Sequence, residues 1–371
     1  MRERADDQAL GRPPAEEPPR EGQGIRDLTV THELHLNGPE YGAAMNERTS
    51  SFSNANPGEH GTDYRYDGLE SMEFLASRGW RRIKVPIRWE RIQPTINGTL
   101  DPTELERLRT FVEHCASAGL DVNLDIHNYG LYYRDINGTG HRTPLGHSTL
   151  PVSAFSDLWH RLAVAFLDAS HMTVFTLMAE PQDGGGLSPN VWREASRAAV
   201  TAIRGVDPTL EIHVAGWQWS SLRHWDRYNP TPWISDPGIR YCAHHYWDSD
   251  GSGGYTRSFQ STVRQAERDG YTAGDLPTAL HTRIEENLAD FSAWLQAAGA
   301  RGAIGEIGWP HHDPDWNNLA DWYLGRVAAH GLPVAHWQAG EWGDWDDLAL
   351  YQGSPLSGVR ASGLVAEKHL R

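Results

Sequence analysis

Two glutamates stand out because each directly follows a run of apolar residues typical of a buried strand. Glu180 lies in LMAEPQ and Glu306 lies in AIGEIGWP. A buried carboxylate is costly without a partner, so a purely structural role requires each glutamate to cap a loop or pair with an arginine. The chemical interpretation is that two facing carboxyl groups, one protonated and one ionised, cleave a glycosidic bond with retention. The surrounding aromatic and histidine residues favour the chemical interpretation.

Other side chains that could bind a ligand also follow apolar runs. They are Asn37, Arg88, Trp89, His127, Asn128, Trp217, His244, Tyr246 and Trp337. The chain contains 16 Trp, 13 Tyr and 19 His, residue types that stack on sugar rings and hydrogen-bond to their hydroxyls. The alternative is that most tryptophans belong to the core. We expect at least three of six to line one cleft: Trp217, Trp219, Trp247, Trp309, Trp337 and Trp342.

Short runs that favour strands alternate with segments of helical periodicity along most of the chain. Strands are predicted over 33–37, 81–87, 120–126, 172–178, 210–215, 239–246, 301–307 and 332–338. Helices are predicted over 67–78, 101–118, 153–168, 188–205, 284–298 and 315–330, with weaker ones near 217–228 and 354–369. Eight such units favour an α/β fold, a single-domain (β/α)8 TIM barrel, in which all strand ends converge on one mouth. An open doubly wound sheet is the alternative, but no GxGxxG motif follows an early strand.

The first 26 residues are rich in Pro, Glu and Arg, which predicts a disordered tail and leaves 27–371 as the catalytic domain. The tail shows no signal peptide, so we expect a cytoplasmic protein, or a secreted one if a signal has been removed. The net charge of −16 argues against nucleic acid or an anionic membrane as a partner. No apolar run is long enough to span a membrane. We expect a monomer that binds a carbohydrate or glycoside.

Neither a cofactor nor a metal site is predicted. Cys115 and Cys242 lack the spacing of zinc ligands and are expected to be free thiols. The segment HELH at 32–35 lacks the histidine pair of a zinc protease, and PHHDPDW at 310–316 is a loop broken by proline. The segment 247–283 exceeds normal loop length, so we expect it to form a rim or lid over the pocket.

Six segments in chain order resemble those of the cellulase-type glycoside hydrolases of family 5. They are RIKVPIRWERIQP (82–94), LDIHNYG (124–130), LMAEP (177–181), AHHYWDSDGSG (243–253), AIGEIGWP (303–310) and HWQAGEW (336–342). The resemblance runs from about residue 34 to the end of the chain. It implies a retaining hydrolase of β-linked glucan, mannan or a related β-glycoside. It also implies Glu180 as the acid/base and Glu306 as the nucleophile, with His244 and Tyr246 orienting them.

The resemblance further implies that His127 and Asn128 bind sugar hydroxyls and that Trp337 stacks on a sugar ring. Two positions depart from the family pattern. Ala179 replaces an asparagine whose amide bonds the sugar 2-hydroxyl, and Lys84 replaces an arginine whose planar fork bonds the nucleophile. These departures keep two other functions open. One is an intracellular enzyme that uses the same glutamates on a sugar-derived metabolite, by transfer, elimination or rearrangement. The other is a non-catalytic carbohydrate-binding barrel.

Overall fold

Eight parallel strands close into a barrel in the computed structural model, which describes residues 30–39, 45–46, 51–52, 58–136, 139–342 and 345–370. The predicted tail, residues 1–26, lies outside the described residues. The barrel strands are β1 (His32–Leu36), β2 (Arg82–Ile87), β3 (Asp121–Ile126), β4 (Met172–Thr176), β5 (Glu211–Ala215), β6 (Ile239–His244), β7 (Gly302–Ile307) and β8 (Val334–Ala339). Neighbours in the barrel are neighbours in the chain, and β8 pairs with β1 to close it. The predicted (β/α)8 barrel and its eight strands are confirmed.

Helices surround the barrel and connect its strands. They are α1 (Leu69–Ser77), α2 (Pro102–Ser117), α3 (Val152–Ala165), α4 (Pro189–Arg204), α5 (Trp225–Tyr228), α6 (Ala279–Ala298), α7 (Pro314–Ala329) and α8 (Ala361–Glu367). Local sequence determines where several of them begin. The Asp101 side chain accepts the backbone N–H of Glu104 at 2.8 Å, just before the proline that opens α2. Asp and Ser at such positions satisfy N–H groups that the first helical turn leaves unpaired.

The segment 247–283 differs from the expectation of one long irregular rim. It contains a helix over Phe259–Arg268, and α6 begins at Ala279, five residues earlier than predicted. Ser258 and Thr278 cap the two helices through their side chains. The buried face of the first helix comprises Phe259, Thr262, Val263 and Ala266. This spacing is helical, but the polar residues between these positions conceal it in the sequence.

Additional short elements lie outside the eightfold pattern. A helical turn covers Trp89–Ile92, and a 3-10 turn over Leu222–His224 precedes α5. Antiparallel pairs join Met45–Asn46 to Ser51–Phe52, Leu131–Ile136 to Thr139–Pro144, and Tyr351–Gln352 to Gly358–Val359. None of the helices that the structure describes is both long and apolar enough to cross a membrane.

The barrel interior is polar, whereas the outward faces of its strands are apolar. Alternate positions of the strands point inward. The Asn123 amide donates to the Glu33 carboxylate at 3.1 Å and accepts from the Thr176 hydroxyl at 2.9 Å. The intervening residues, such as Leu34 and Leu124, are completely buried in the apolar core. The barrel therefore holds a hydrogen-bonded polar stack beneath its mouth.

The end of β6 is anchored to the helical layer by His245. Its backbone N–H donates to the Glu306 carbonyl at 2.9 Å, and its Nδ1 lies 3.0 Å from the Tyr323 hydroxyl of α7. Asn287 of α6 lies 3.4 Å from its other ring nitrogen. Burial lowers the pKa of His245 to about 3, helped by the charges of Arg283 and Arg223. The imidazole is therefore neutral in the folded protein at neutral pH.

This neutral histidine predicts a loss of stability in acid. Below pH 6.5 the unfolded chain protonates His245 while the folded chain does not, so the free energy of unfolding falls by up to about 1.4 kcal/mol for each pH unit, until the pH approaches 3. His245→Gln should flatten the fall of stability between pH 6.5 and 4.5, as measured by urea unfolding. The exposed His160→Gln should leave the fall unchanged. Equal pH dependence in all three proteins would contradict this assignment.

Candidate active site

The two sequence-selected glutamates meet at the carboxyl end of the barrel. His244 links them, because its Nδ1 lies 2.8 Å from a Glu180 carboxylate oxygen and 3.8 Å from a Glu306 carboxylate oxygen. One carboxylate oxygen from each glutamate lies within 4.8 Å of the other. Retaining glycosidases place the two carboxyl groups about 5–5.5 Å apart, whereas inverting enzymes separate them by about 6.5–9.5 Å. The spacing fits attack by one carboxylate on the sugar itself.

Backbone geometry aims Glu180 at this point. Its φ of 49° lies in the left-handed region, which is unfavourable for a residue with a side chain. Hydrogen bonds hold the chain on both sides of it: the N–H of Tyr129 donates to the Ala179 carbonyl, and that of Trp219 donates to the Pro181 carbonyl, each at 3.2 Å. The surrounding loops therefore fix a conformation that the Glu180 backbone would not prefer alone.

A register shift places His244 opposite Glu306. Ala243 pairs with Ile304 in the ladder between β6 and β7, but the next residue, His244, pairs with Glu306. Such irregularities re-aim side chains at the rims of barrels. Without the extra residue in β7, His244 would pair with Gly305 instead.

Tyr246 and His244 each form a hydrogen bond with one of the glutamates. The Tyr246 hydroxyl donates to a Glu306 carboxylate oxygen at 2.7 Å. Burial, together with the charge of Glu306, raises the pKa of Tyr246 well above its usual value, so the phenol remains a donor. Burial also lowers the pKa of His244 to about 4. A neutral imidazole therefore shares one proton with Glu180 across their contact.

A buried ion pair lies directly below the glutamates. Lys84 Nζ lies 3.7 Å from Asp125 Oδ2 and donates to the Gly305 carbonyl at 3.2 Å, next to Glu306. Burial alone would lower the pKa of Lys84, but the charges of Asp125 and Glu306 outweigh it and raise that pKa. Both partners are almost completely inaccessible to solvent. The lysine thus supplies positive charge to the floor of the site.

Two histidines complete the environment of Asp125. His127 Nδ1 lies 3.0 Å and His35 Nε2 lies 3.4 Å from the same Asp125 oxygen. Burial would raise the pKa of Asp125, but Lys84 and the two histidines outweigh it and hold that pKa well below its usual range. Because Asp125 engages Nδ1 of His127, Nε2 is the nitrogen that this residue has left to offer a ligand.

Lys84 does not reproduce the expected contact with the nucleophile position. Its ammonium is directed at the Gly305 carbonyl and Asp125 rather than at the Glu306 carboxylate. The second carboxylate oxygen of Glu306, Oε2, is buried without a hydrogen-bond partner among the described residues. Ala179 is also completely buried. Both departures from the family pattern therefore lie at the site itself.

Asn128 differs from the expectation that it binds sugar hydroxyls. Its carbonyl oxygen accepts the Trp89 backbone N–H at 2.8 Å, and its amide donates to the Glu90 carboxylate at 2.6 Å. The residue is completely buried. Asn128 thus ties together the segments that follow β2 and β3. Tyr129, which sequence reasoning missed, comes next in the chain, and its ring lies 5.7 Å from that of Trp219.

The six selected tryptophans divide into two groups. Trp217, Trp247 and Trp309 are buried in the apolar core, and the rings of the last two stack at 5.7 Å, so the expected three cleft residues can only be the other three. Trp219 is 40% exposed. Trp337 is partly exposed, with its ring 4.7 Å from that of His35. Trp342 is partly exposed beside Gly38, which follows β1. Trp337 lies near the carboxyl end of β8, whereas Trp219 and Trp342 follow the ends of β5 and β8.

Two groups of metal-type donors occur within this site. One comprises Glu180, His244 and Glu306, and the other comprises His35, Asp125 and His127. Lys84 already supplies a positive charge that interacts with Asp125 of one group and Glu306 of the other. A second cation there would meet electrostatic repulsion. The hydrogen-bond geometry accounts for both groups without a metal.

The comparison with known families decides the relationship. Residues 40–343 match the family model described as Cellulase (glycosyl hydrolase family 5). The chain belongs to glycosyl hydrolase family 5. The resemblance found in the sequence motifs is confirmed, and the chain is a glycoside hydrolase of the cellulase type.

Individual relatives are similar in sequence to this protein over most of its length. Endo-beta-1,4-glucanase B of Emericella nidulans is 25% identical over 317 residues, which is 84% of this chain and 84% of that protein. Probable endo-beta-1,4-glucanase B of Aspergillus oryzae is 27% identical over 86% of this chain and 87% of its own. The crystal structure of Pseudomonas stutzeri endoglucanase Cel5A in complex with cellobiose is 29% identical, with a TM-score of 0.75 and 92% of each chain covered.

The buried ion pair between Lys84 and Asp125 predicts that replacing Lys84 strongly destabilises the protein. Lys84→Met removes the ammonium and leaves Asp125 buried without its ion partner, so the free energy of unfolding should fall by about 3–5 kcal/mol. The only other lysine, Lys368, pairs with Asp321 at an exposed position. Lys368→Met should therefore cost less than about 1 kcal/mol. Urea unfolding measures both, and similar small losses in the two variants would contradict the role given to Lys84.

Proposed function

We propose that the protein hydrolyses β-1,4-linked glucan with retention of configuration, by a double displacement that uses Glu180 and Glu306. The carrying observation is the short separation of these two carboxylates at the mouth of the barrel, where Glu180 contacts His244 and Glu306 accepts the Tyr246 hydroxyl. The endoglucanase names of the fungal relatives and the cellobiose held by the Pseudomonas stutzeri enzyme support a glucan as the substrate.

The geometry suggests how the two steps proceed. Glu306, ionised and steadied by Tyr246, attacks the anomeric carbon while Glu180 gives its proton to the leaving oxygen. A covalent glycosyl ester and one free product end result. Glu180, now ionised beside His244, then removes a proton from water as that water attacks the anomeric carbon. The ester bond to Glu306 breaks, and both carboxyl groups return to their starting states.

Other groups of the mouth bind the sugar in this proposal. Trp337 offers a partly exposed ring on which the sugar at the cleavage point stacks. His127 offers Nε2 to a hydroxyl, because Asp125 holds its other nitrogen. Trp219, which is 40% exposed and whose ring lies 5.7 Å from that of the buried Tyr129, extends the aromatic surface along the rim. The long polymer would thus lie across the mouth and contact several strand ends.

We also propose that the enzyme acts as a monomer on carbohydrate, without nucleic acid or membrane partners. The net charge of −16 supports this, since polyanions and anionic lipids would be repelled. A neutral polysaccharide carries no such penalty. Light scattering of the purified protein measures its molar mass and so tests whether it is a monomer.

A substrate whose leaving group needs no proton should distinguish the roles of the two glutamates. Glu306→Gln should lower kcat/KM on cellooligosaccharides by about 10²–10⁴-fold or more, and Glu180→Gln by a similar factor. An aryl cellobioside with a strongly acidic phenol needs no proton for departure, so Glu180→Gln should still release that phenol in a rapid burst. Glu306→Gln should show no burst. The matched variant Glu113→Gln, exposed on α2, should keep full activity.

Two outcomes would contradict the two-glutamate proposal. One is substantial hydrolysis by Glu306→Gln. The other is initial release of the inverted anomer, which NMR of the first product detects. Absence of hydrolysis by the unmodified protein on all β-glycosides, with sugar binding retained, would favour the non-catalytic barrel instead.

Restoring an asparagine at position 179 tests whether the substrate is a β-glucoside with an unmodified 2-hydroxyl. Ala179→Asn should raise kcat/KM on aryl β-glucosides and cellobiosides by at least about tenfold, because the amide would again bond the 2-hydroxyl in the transition state. The control substrates are the 2-deoxy glycosides, on which the variant should gain nothing. If the original enzyme prefers 2-deoxy or 2-substituted glycosides and the variant is worse, the site serves a modified sugar or metabolite.

A further inference from the structure

A separate group of metal-type donors lies on the rim of the barrel. His311, His312 and Asp347 each bring one ligand atom within 4.8 Å of the others. The two histidines lie between β7 and α7, and Asp347 lies between β8 and α8. In the sequence, the segment 310–316 was interpreted as a loop broken by proline rather than as a metal site. The fold supplies that ligand from 35 residues further along the chain.

The backbone holds these residues in place without help from a metal. The His311 N–H donates to the Asp347 carbonyl at 2.9 Å, and the Asn317 amide donates to the His311 carbonyl at 3.0 Å. Asp313 caps α7 directly after the histidines. On the other segment, the Asp346 side chain accepts the Leu348 N–H at 2.8 Å and forms a tight turn around Asp347. Binding of a ligand here therefore costs little conformational entropy, because the chain is already ordered.

The donor set selects a class of metal. Two imidazoles and one carboxylate suit Zn²⁺, which commonly takes three such protein ligands and a water. Ca²⁺ and Mg²⁺ prefer oxygen donors throughout. His312 and Asp347 are exposed, which leaves room for a water ligand.

We propose that His311, His312 and Asp347 form a Zn²⁺ site that joins the segments following β7 and β8. These segments flank the catalytic mouth, because β7 carries Glu306 and β8 carries Trp337. They already contact each other, through the hydrogen bond from the His311 N–H to the Asp347 carbonyl. Zinc at this position stabilises the rim and takes no part in bond cleavage.

The test uses the full chain without a histidine tag, freed of metal by chelation. Titration with zinc chloride in a calorimeter should show one strong site, and Co²⁺ should give the visible absorption of a tetrahedral centre. His312→Ala and Asp347→Asn should each weaken Zn²⁺ binding by at least about tenfold and remove the zinc-dependent rise in Tm. The exposed His147→Ala, elsewhere on the surface, should retain both signals.

The catalytic residues require a separate control, because Glu180, His244 and Glu306 also form a donor group. Zn²⁺ binding and the Co²⁺ spectrum should persist in Glu306→Gln and disappear in the double variant with His312→Ala. Hydrolysis by the zinc-free His312→Ala enzyme should equal that of the original. Binding that is lost with Glu306→Gln but unaffected by His312→Ala and Asp347→Asn would overturn the proposal. Equal binding of Ca²⁺ or Mg²⁺ would overturn the assignment to zinc.

Discussion

The buried charge balance between Lys84, Asp125 and Glu306 is the constraint on which the site depends. Burying an unpaired carboxylate costs several kcal/mol. The barrel contains one buried carboxylate at its mouth, Glu306, and another below it, Asp125. The ammonium of Lys84 compensates both at once, since it lies 3.7 Å from Asp125 and its pKa is raised by Asp125 and Glu306. The polar stack beneath, with Asn123 between Glu33 and Thr176, continues this arrangement into the barrel. The interior is therefore built to hold charge, and not only to fill volume.

Two backbone irregularities convert that scaffold into a site. The left-handed conformation of Glu180 and the register shift that pairs His244 with Glu306 both depart from regular strand geometry. Each is unfavourable locally and is held by contacts from neighbouring strands, as the hydrogen bonds on both sides of Glu180 illustrate. Their joint effect is that one imidazole contacts both carboxylates. A regular barrel with the same side chains would not bring them together in this way.

The barrel architecture and the proximity of the two glutamates could be predicted from the sequence alone. Strand and helix periodicities are local signals, and the convergence of strand ends follows from closing a parallel barrel. Contacts that depend on how loops fold were not accessible in this way. Asn128 looked like a ligand-binding residue, but its amide is used by Trp89 and Glu90 of another segment. Asp347 gave no signal next to the histidines because the chain returns to them only after a further helix and strand.

The surroundings of the Glu306 carboxylate show what one of the two departures from the family pattern, Lys84, changes at the site. Tyr246 hydrogen-bonds to one carboxylate oxygen, whereas Oε2 has no donor among the described residues. An arginine fork at position 84 would supply further hydrogen bonds to such a carboxylate. Lys84 instead provides charge without competing for that oxygen, since its hydrogen bond goes to the Gly305 carbonyl. Tyr246 thus holds one oxygen of the Glu306 carboxylate by a hydrogen bond, and Lys84 contributes charge without bonding to that carboxylate.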